Sequence, residues 1–175
     1  MDPASRGAIP RGFTLIELMV GIVVLAVVLG IGVPSFRDAA VGSRVSSYAN
    51  DLVASVQLAR SEAIKRNDEV TLCASSDGAN CEDEGGWQVG WIIRAADGTV
   101  LQRQGALDAA YRITEAAETT QIDLPPTVIR DPPTTLSFTV CRGEPVGKQE
   151  RIVTVSPTGG TTVRRTTAAA CPDAD

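Results

Sequence analysis

Between Arg11 and Pro34, in the run Gly12-Phe13-Thr14-Leu15-Ile16-Glu17-Leu18-Met19-Val20 and on to Val33, Glu17 is the only ionisable side chain. A charge inside a membrane-spanning segment costs about 2.5 to 3.5 kcal/mol on insertion scales, so this carboxylate calls for a partner or a role. An opposite charge that leaves water with it offsets the desolvation of both. Four cysteines, Cys73, Cys81, Cys141 and Cys171, all follow the apolar run, and an even count in an exported domain points to disulfides. Several pairings are open to them. Economy of chain reach favours Cys73 with Cys81 and Cys141 with Cys171, each bond contributing about 2 to 4 kcal/mol by restricting the unfolded chain.

Other chemistry is poorly supplied. Histidine is absent, which removes the usual general base near neutral pH, the usual zinc ligand and the usual partner of a nucleophilic Ser or Cys. No Cys-x-x-Cys, Gly-x-Ser-x-Gly, Walker or dinucleotide glycine pattern occurs, so no catalysis, metal or cofactor is expected. Glu82-Asp83-Glu84 lacks the Asp-x-Asp-x-Asp-Gly frame of a calcium loop and reads as a solvated acidic loop. A net charge of −5 argues against a general polyanion binder. Arg142, Lys148, Arg151, Arg164 and Arg165 nevertheless form a local basic set toward the C-terminus.

The elements that must position these groups follow from periodicity. At about 1.5 Å per helical residue, Phe13 to Val33 reaches about 30 Å, the thickness of a bilayer core. The run is too long for a signal-peptide core and has no Ala-x-Ala site beyond it. A plain single-span anchor explains the hydrophobicity and the flanking Arg6 and Arg11, but neither Glu17 nor the Gly before Phe-Thr-Leu. Pro34, with Gly30 and Gly32 near it, marks a kink or the exit from the membrane, after which the helix resumes. Val41, Val45, Tyr48, Leu52, Val56, Ala59 and Ala63 recur at steps of three and four, giving a helix with one buried face.

Beyond residue 66 the pattern changes to short β-branched and aromatic runs divided by Gly, Pro and Asp-Gly signals. Strands are predicted at Glu69 to Cys73, Trp87 to Arg94, Thr99 to Arg103, Tyr111 to Ile113, Gln121 to Leu124, Thr135 to Val140, Arg151 to Val155 and Thr161 to Arg165. Alternation places Trp87, Val89, Trp91 and Ile93 on one buried face, so both tryptophans read as core. The organisation is a leader at 1–12, a membrane or fibre-core helix at 13–33, an amphipathic continuation at 34–66 and a β-rich domain at 67–175. A helix followed by strands makes an α+β domain.

The N-terminal residues resemble the class III signal and first helix of type IV pilins and of the pseudopilins of type II secretion. The resemblance implies that a prepilin peptidase cuts after Gly12 and that the new terminus, Phe13, is methylated. It implies further that Glu17, the fifth residue after the cut, is the assembly residue, pairing with the charged terminus of a neighbouring subunit. The later half resembles the GspH and FimT group of minor pseudopilins and minor pilins in Leu72-Cys73, Asp77-Gly78, Cys81, Trp87 and Gly90-Trp91-Ile92. That implies a type IV pilin-like fold, a long helix packed on one or two antiparallel sheets.

The function so implied is a structural subunit that initiates or caps a type IV pilus or a type II secretion pseudopilus, not an enzyme. The implied setting is the bacterial inner membrane, with the C-terminal domain in the periplasm and the subunit incorporated in a fibre. The partners would be other major and minor pilins or pseudopilins, the prepilin peptidase, an inner-membrane assembly platform and membrane lipid. The alternative is a DNA-binding minor pilin for natural transformation. In some members of the group a C-terminal Gly-Arg-x-Arg turn contacts DNA; here the region reads Gly159-Gly160-Thr161-Thr162-Val163-Arg164-Arg165, with the arginines displaced and the first missing. Arg164 and Arg165 could still touch phosphates, or could serve as edge-strand charges that resist unwanted pairing.

Overall fold

The structure, a computed structural model, describes residues 12–127, 133–143, 149–166 and 171. The chain divides into two compact units, Met1–Arg37 and Asp38–Asp175. One helix, α1 (Leu15–Arg66), contributes to both and includes Pro34 within its bounds.

In the first unit the helix is apolar all round. Leu15, Ile16, Val20, Leu25 and Leu29 are each more than half exposed, the composition of a helix that meets lipid or other apolar helices on every side. The segment is long and apolar enough to cross a membrane.

In the second unit the same helix has two characters. Val45, Ala49, Leu52, Val56, Ala59 and Ala63 are fully buried at steps of three and four, while Ser43, Arg44, Ser47 and Asn50 stay exposed. Three alanines in that stripe remove side-chain bulk and let the helix lie close to its neighbours. The helix ends on Asn67 in the left-handed region (φ 52°), with the Asp68 N–H donating to Ala63 O at 3.2 Å and closing the last turn. Lys65 and Arg66 stand in that turn, where cations suit the helix dipole, and both pair with Glu62.

Eight strands follow: β1 (Val70–Ala74), β2 (Trp91–Ala95), β3 (Val100–Gln104), β4 (Tyr111–Glu115), β5 (Gln121–Leu124), β6 (Leu136–Arg142), β7 (Glu150–Val155) and β8 (Thr161–Thr166). They form two antiparallel sheets, in the orders β3-β2-β1-β5 and β4-β6-β7-β8. Alternate residues of both sheets, among them Leu72, Ile93, Ile122, Ile113, Phe138 and Val153, join the buried helix face in one core. The architecture is thus a long N-terminal helix packed on two antiparallel sheets.

The stretch around the tryptophans differs from simple alternation. Trp87–Val89 is a single 3-10 turn rather than the start of a strand, and β2 begins only at Trp91. Gly90 makes the break: its φ is +109°, and a Cβ there would press on the backbone of residues 104 to 106. Both tryptophans are still buried, by different routes. Trp87 packs edge-on against Phe138 with ring centres 5.2 Å apart and donates its indole N–H to Thr119 O at 2.8 Å. Trp91 donates to Ser55 Oγ on the helix at 2.9 Å, and Ser55 donates in turn to Asp51 O.

Disulfides Cys73–Cys81 and Cys141–Cys171 bring their Cα atoms to 5.5 Å and 5.6 Å. The first closes a loop organised by Asp77, whose carboxylate accepts from Asn80 N, Ala79 N, the Asn80 amide and Ser75 Oγ. These bonds, the Asn80 N–H foremost, hold the Asp77 carboxyl far below the usual carboxylate range. Glu82 folds back onto the Ser76 amide and hydroxyl, while Asp83 and Glu84 remain exposed, so the acidic triplet does not converge.

Ser55→Ala strands the buried indole N–H of Trp91 and should lower stability by about 1 to 3 kcal/mol in denaturant titration. Ser47→Ala, on the exposed face, should leave it within about 0.5 kcal/mol. Because the folded-state value of Asp77 is depressed, its carboxylate adds stability above the unfolded value of about 3.9, and that stability is lost as pH falls through the folded value. The unfolding midpoint of the parent should therefore exceed that of Asp77→Asn at pH 7, with the gap closing below about pH 3.9.

Candidate functional site

The N-terminal site is built by a helix start. Thr14 precedes the first helical residue, and its Oγ1 accepts from the Glu17 N–H at 3.2 Å while Glu17 Oε2 accepts from the Thr14 N–H at 3.4 Å. This reciprocal pair is a capping box, which satisfies two of the N–H groups a helix leaves open at its start. The spacing Thr-x-x-Glu carries that signal in sequence, ahead of an apolar run, and the reading of Glu17 as an isolated charge passes over it. The capping box orients the carboxylate and holds it at the positive end of the helix dipole. It supplies no counter-charge, and among the described residues ion pairs form only at Glu62. Gly12 and Phe13, the residues flanking the expected cut, are exposed, Phe13 by 86%.

The C-terminal basic residues do not make one edge. β8 is an edge strand, and its alternation sends Arg164 and Arg165 to opposite faces: Arg164 lies across from Ile152 and Arg165 across from Arg151. Arg151 is buried, with Nη2 donating to Ser46 Oγ at 2.9 Å and Nη1 to Glu150 O at 3.1 Å. Burial, and after it the charge of Arg165, press the Arg151 guanidinium below its ordinary value. The side chain of Glu150 is buried too, which pushes its carboxyl up. Arg142 ends β6 opposite Tyr111, and Lys148 lies outside the described residues. Arg151 and Arg165 instead line one concavity of about 430 Å³, together with Asp38, Ser43, Ser46 and Gln149. That convergence depends on strand register and was not visible in the run of basic residues.

Comparison with known proteins reaches both the N-terminal segment and the β-rich unit. The family model of the type II transport protein GspH matches residues 48–159, and that of the prokaryotic N-terminal methylation motif matches residues 10–33. Two crystal structures of the type IV minor pilin FimU of Pseudomonas aeruginosa share the fold at 22% identity. One, with a TM-score of 0.55, covers 72% of this chain and 97% of that one. The other, with a TM-score of 0.56, covers 74% and 94%. No curated protein matches the chain by sequence. With its central 48–159 segment matched to that family and the methylation motif ahead of it, the chain belongs to the GspH family of minor pilins and pseudopilins.

Proposed function

We propose that this chain is a minor fibre subunit that initiates or caps assembly of a type IV pilus or of a type II secretion pseudopilus. The observation that carries the reading is Glu17, a carboxylate oriented by a capping box on a helix that is apolar all round and without an ion-pair partner among the described residues. Cleavage after Gly12 by a prepilin peptidase would leave a charged, methylated amine on Phe13. In a fibre core, that amine on one subunit and Glu17 on the next leave water together, so each lowers the desolvation penalty of the other. Charge pairing thereby fixes the axial register of a helix whose apolar surface alone would let it slide.

In this scheme residues 13–33 hold the subunit in the inner membrane, in contact with lipid, until an assembly platform draws it into the fibre. The β-rich domain stands in the periplasm and offers side surfaces to other major and minor subunits. The work is mechanical rather than catalytic and uses no cofactor. A DNA-capturing role is less well supported, because Arg164 and Arg165 face opposite ways and the net charge is −5.

The two duties of Glu17 are separable, since Gln can also complete a capping box but carries no charge. Glu17→Gln and Glu17→Ala should both lose most fibre incorporation, measured by immunoblot of sheared fibres, with the β-rich domain still folded. Normal incorporation of Glu17→Gln would reduce Glu17 to a helix cap. Mass spectrometry of membrane-extracted protein should find an N-terminal peptide starting at methylated Phe13. Retention of residues 1–12 in the presence of the peptidase would reject the processing step.

A further inference from the structure

Arg151 and Arg165 are directly opposite one another on β7 and β8 and line the same concavity. Like charges in that arrangement destabilise a strand pair, and one of these two is only 6% exposed. A buried guanidinium is ordinarily paired with a carboxylate or another strong acceptor. Among the described residues, Arg151 donates to the neutral Ser46 hydroxyl and the Glu150 carbonyl, which engage part of its five-donor fork. Among the described residues no carboxylate lies within ion-pair distance of either arginine. Among the described residues that line the concavity, the carboxylate is Asp38, which is exposed.

The walls suit a small polar guest. Gly42 leaves room for Gln149 against the helix, since a Cβ at that position would come within 2.8 Å of Gln149 Oε1. Gln149 and Ser43 add an amide and a hydroxyl to the two guanidiniums. Among the described residues, two cations and one carboxylate leave one positive charge in the concavity, which one carboxylate group entering it neutralises. A withdrawn, forked donor matches the planar, bidentate geometry of a carboxylate. It is unlike a row of outward-reaching side chains following a phosphate backbone.

We propose that the concavity between α1 and the β7–β8 edge is a carboxylate-binding site in which Arg151 and Arg165 clamp a single carboxylate supplied from outside the chain. The site is independent of Glu17 and of processing at Gly12. Its guest is either a free small carboxylate or an Asp or Glu side chain of another protein chain, the chemistry being the same.

The test uses the full chain in detergent at constant ionic strength, with the thermal unfolding midpoint followed during titration with glutarate, inorganic phosphate, or the capped peptide acetyl-Gly-Glu-Gly-amide. Glutarate should raise the midpoint saturably and phosphate should not. Arg165→Gln, on an exposed side chain, should bind glutarate about tenfold more weakly or worse, as expected for loss of one charge-assisted hydrogen bond, whereas Arg164→Gln should bind as the parent does. Without ligand, Arg165→Gln should unfold at or above the parent midpoint, because a like-charge pair has been removed. Response to the peptide as well as glutarate assigns the guest to a protein side chain, and response to glutarate alone assigns it to a small molecule. Absence of a saturable shift, an equal effect of phosphate, equal loss in Arg164→Gln, or a ligand-free Arg165→Gln that unfolds below the parent would overturn the proposal.

Discussion

Burial of one narrow helical stripe, from Val45 to Ala63, is the constraint on which the β-rich unit depends. Each four-stranded sheet has one apolar face, and a sheet of that size cannot hide it alone. The helix supplies a common surface for both. Its small residues, Ala49, Ala59 and Ala63, allow close approach, and Leu52 and Val56 fill the space between. Ser55 adds a directional element to an otherwise non-directional contact, because its hydroxyl accepts from the Trp91 indole inside the core. Helix rotation is thereby tied to the position of β2.

The same helix carries its other chemistry at its beginning. There the apolar surface is continuous around the axis, so the hydrophobic effect gives insertion into lipid or a fibre core but no preferred rotation or register. A single charge can supply the missing specificity, since an unmatched buried charge penalises every register but the one that pairs it. The capping box between Thr14 and Glu17 makes that charge part of the helix start rather than a mobile side chain. In the proposed assembly, one residue would serve both the helix start and subunit docking through different interactions.

In the second unit, strand alternation determines which charges can act together. Arg164 and Arg165 are neighbours in the chain and strangers in space, whereas Arg151 and Arg165, far apart in the chain, face one another across β7 and β8. The Cys141–Cys171 disulfide ties Cys171 to β6, an inner strand of the same sheet. The charges of β7 and β8 are therefore organised by strand register, not by local composition.

Much of the architecture was legible in residue order. The apolar run, the three-and-four stripe, the Asp97-Gly98 hairpin between β2 and β3, and the alternation of β6 and β7 are local patterns whose period matches the structure they form. The methylation-type N-terminus was legible as well, because it is one contiguous motif. Patterns could not show that Gly90 breaks the tryptophan strand into a 3-10 turn, since that break answers to the backbone at residues 104 to 106. Nor could they show that Ser55 receives an indole, or that Arg151 is drawn in against Ser46. The sequence by itself determined the elements and their apolar faces, because those depend on neighbours within a turn or a pleat. Only the tertiary structure decided which polar groups meet, because a contact between α1 and β7 or between β7 and β8 depends on sheet register and helix rotation, which no local period encodes.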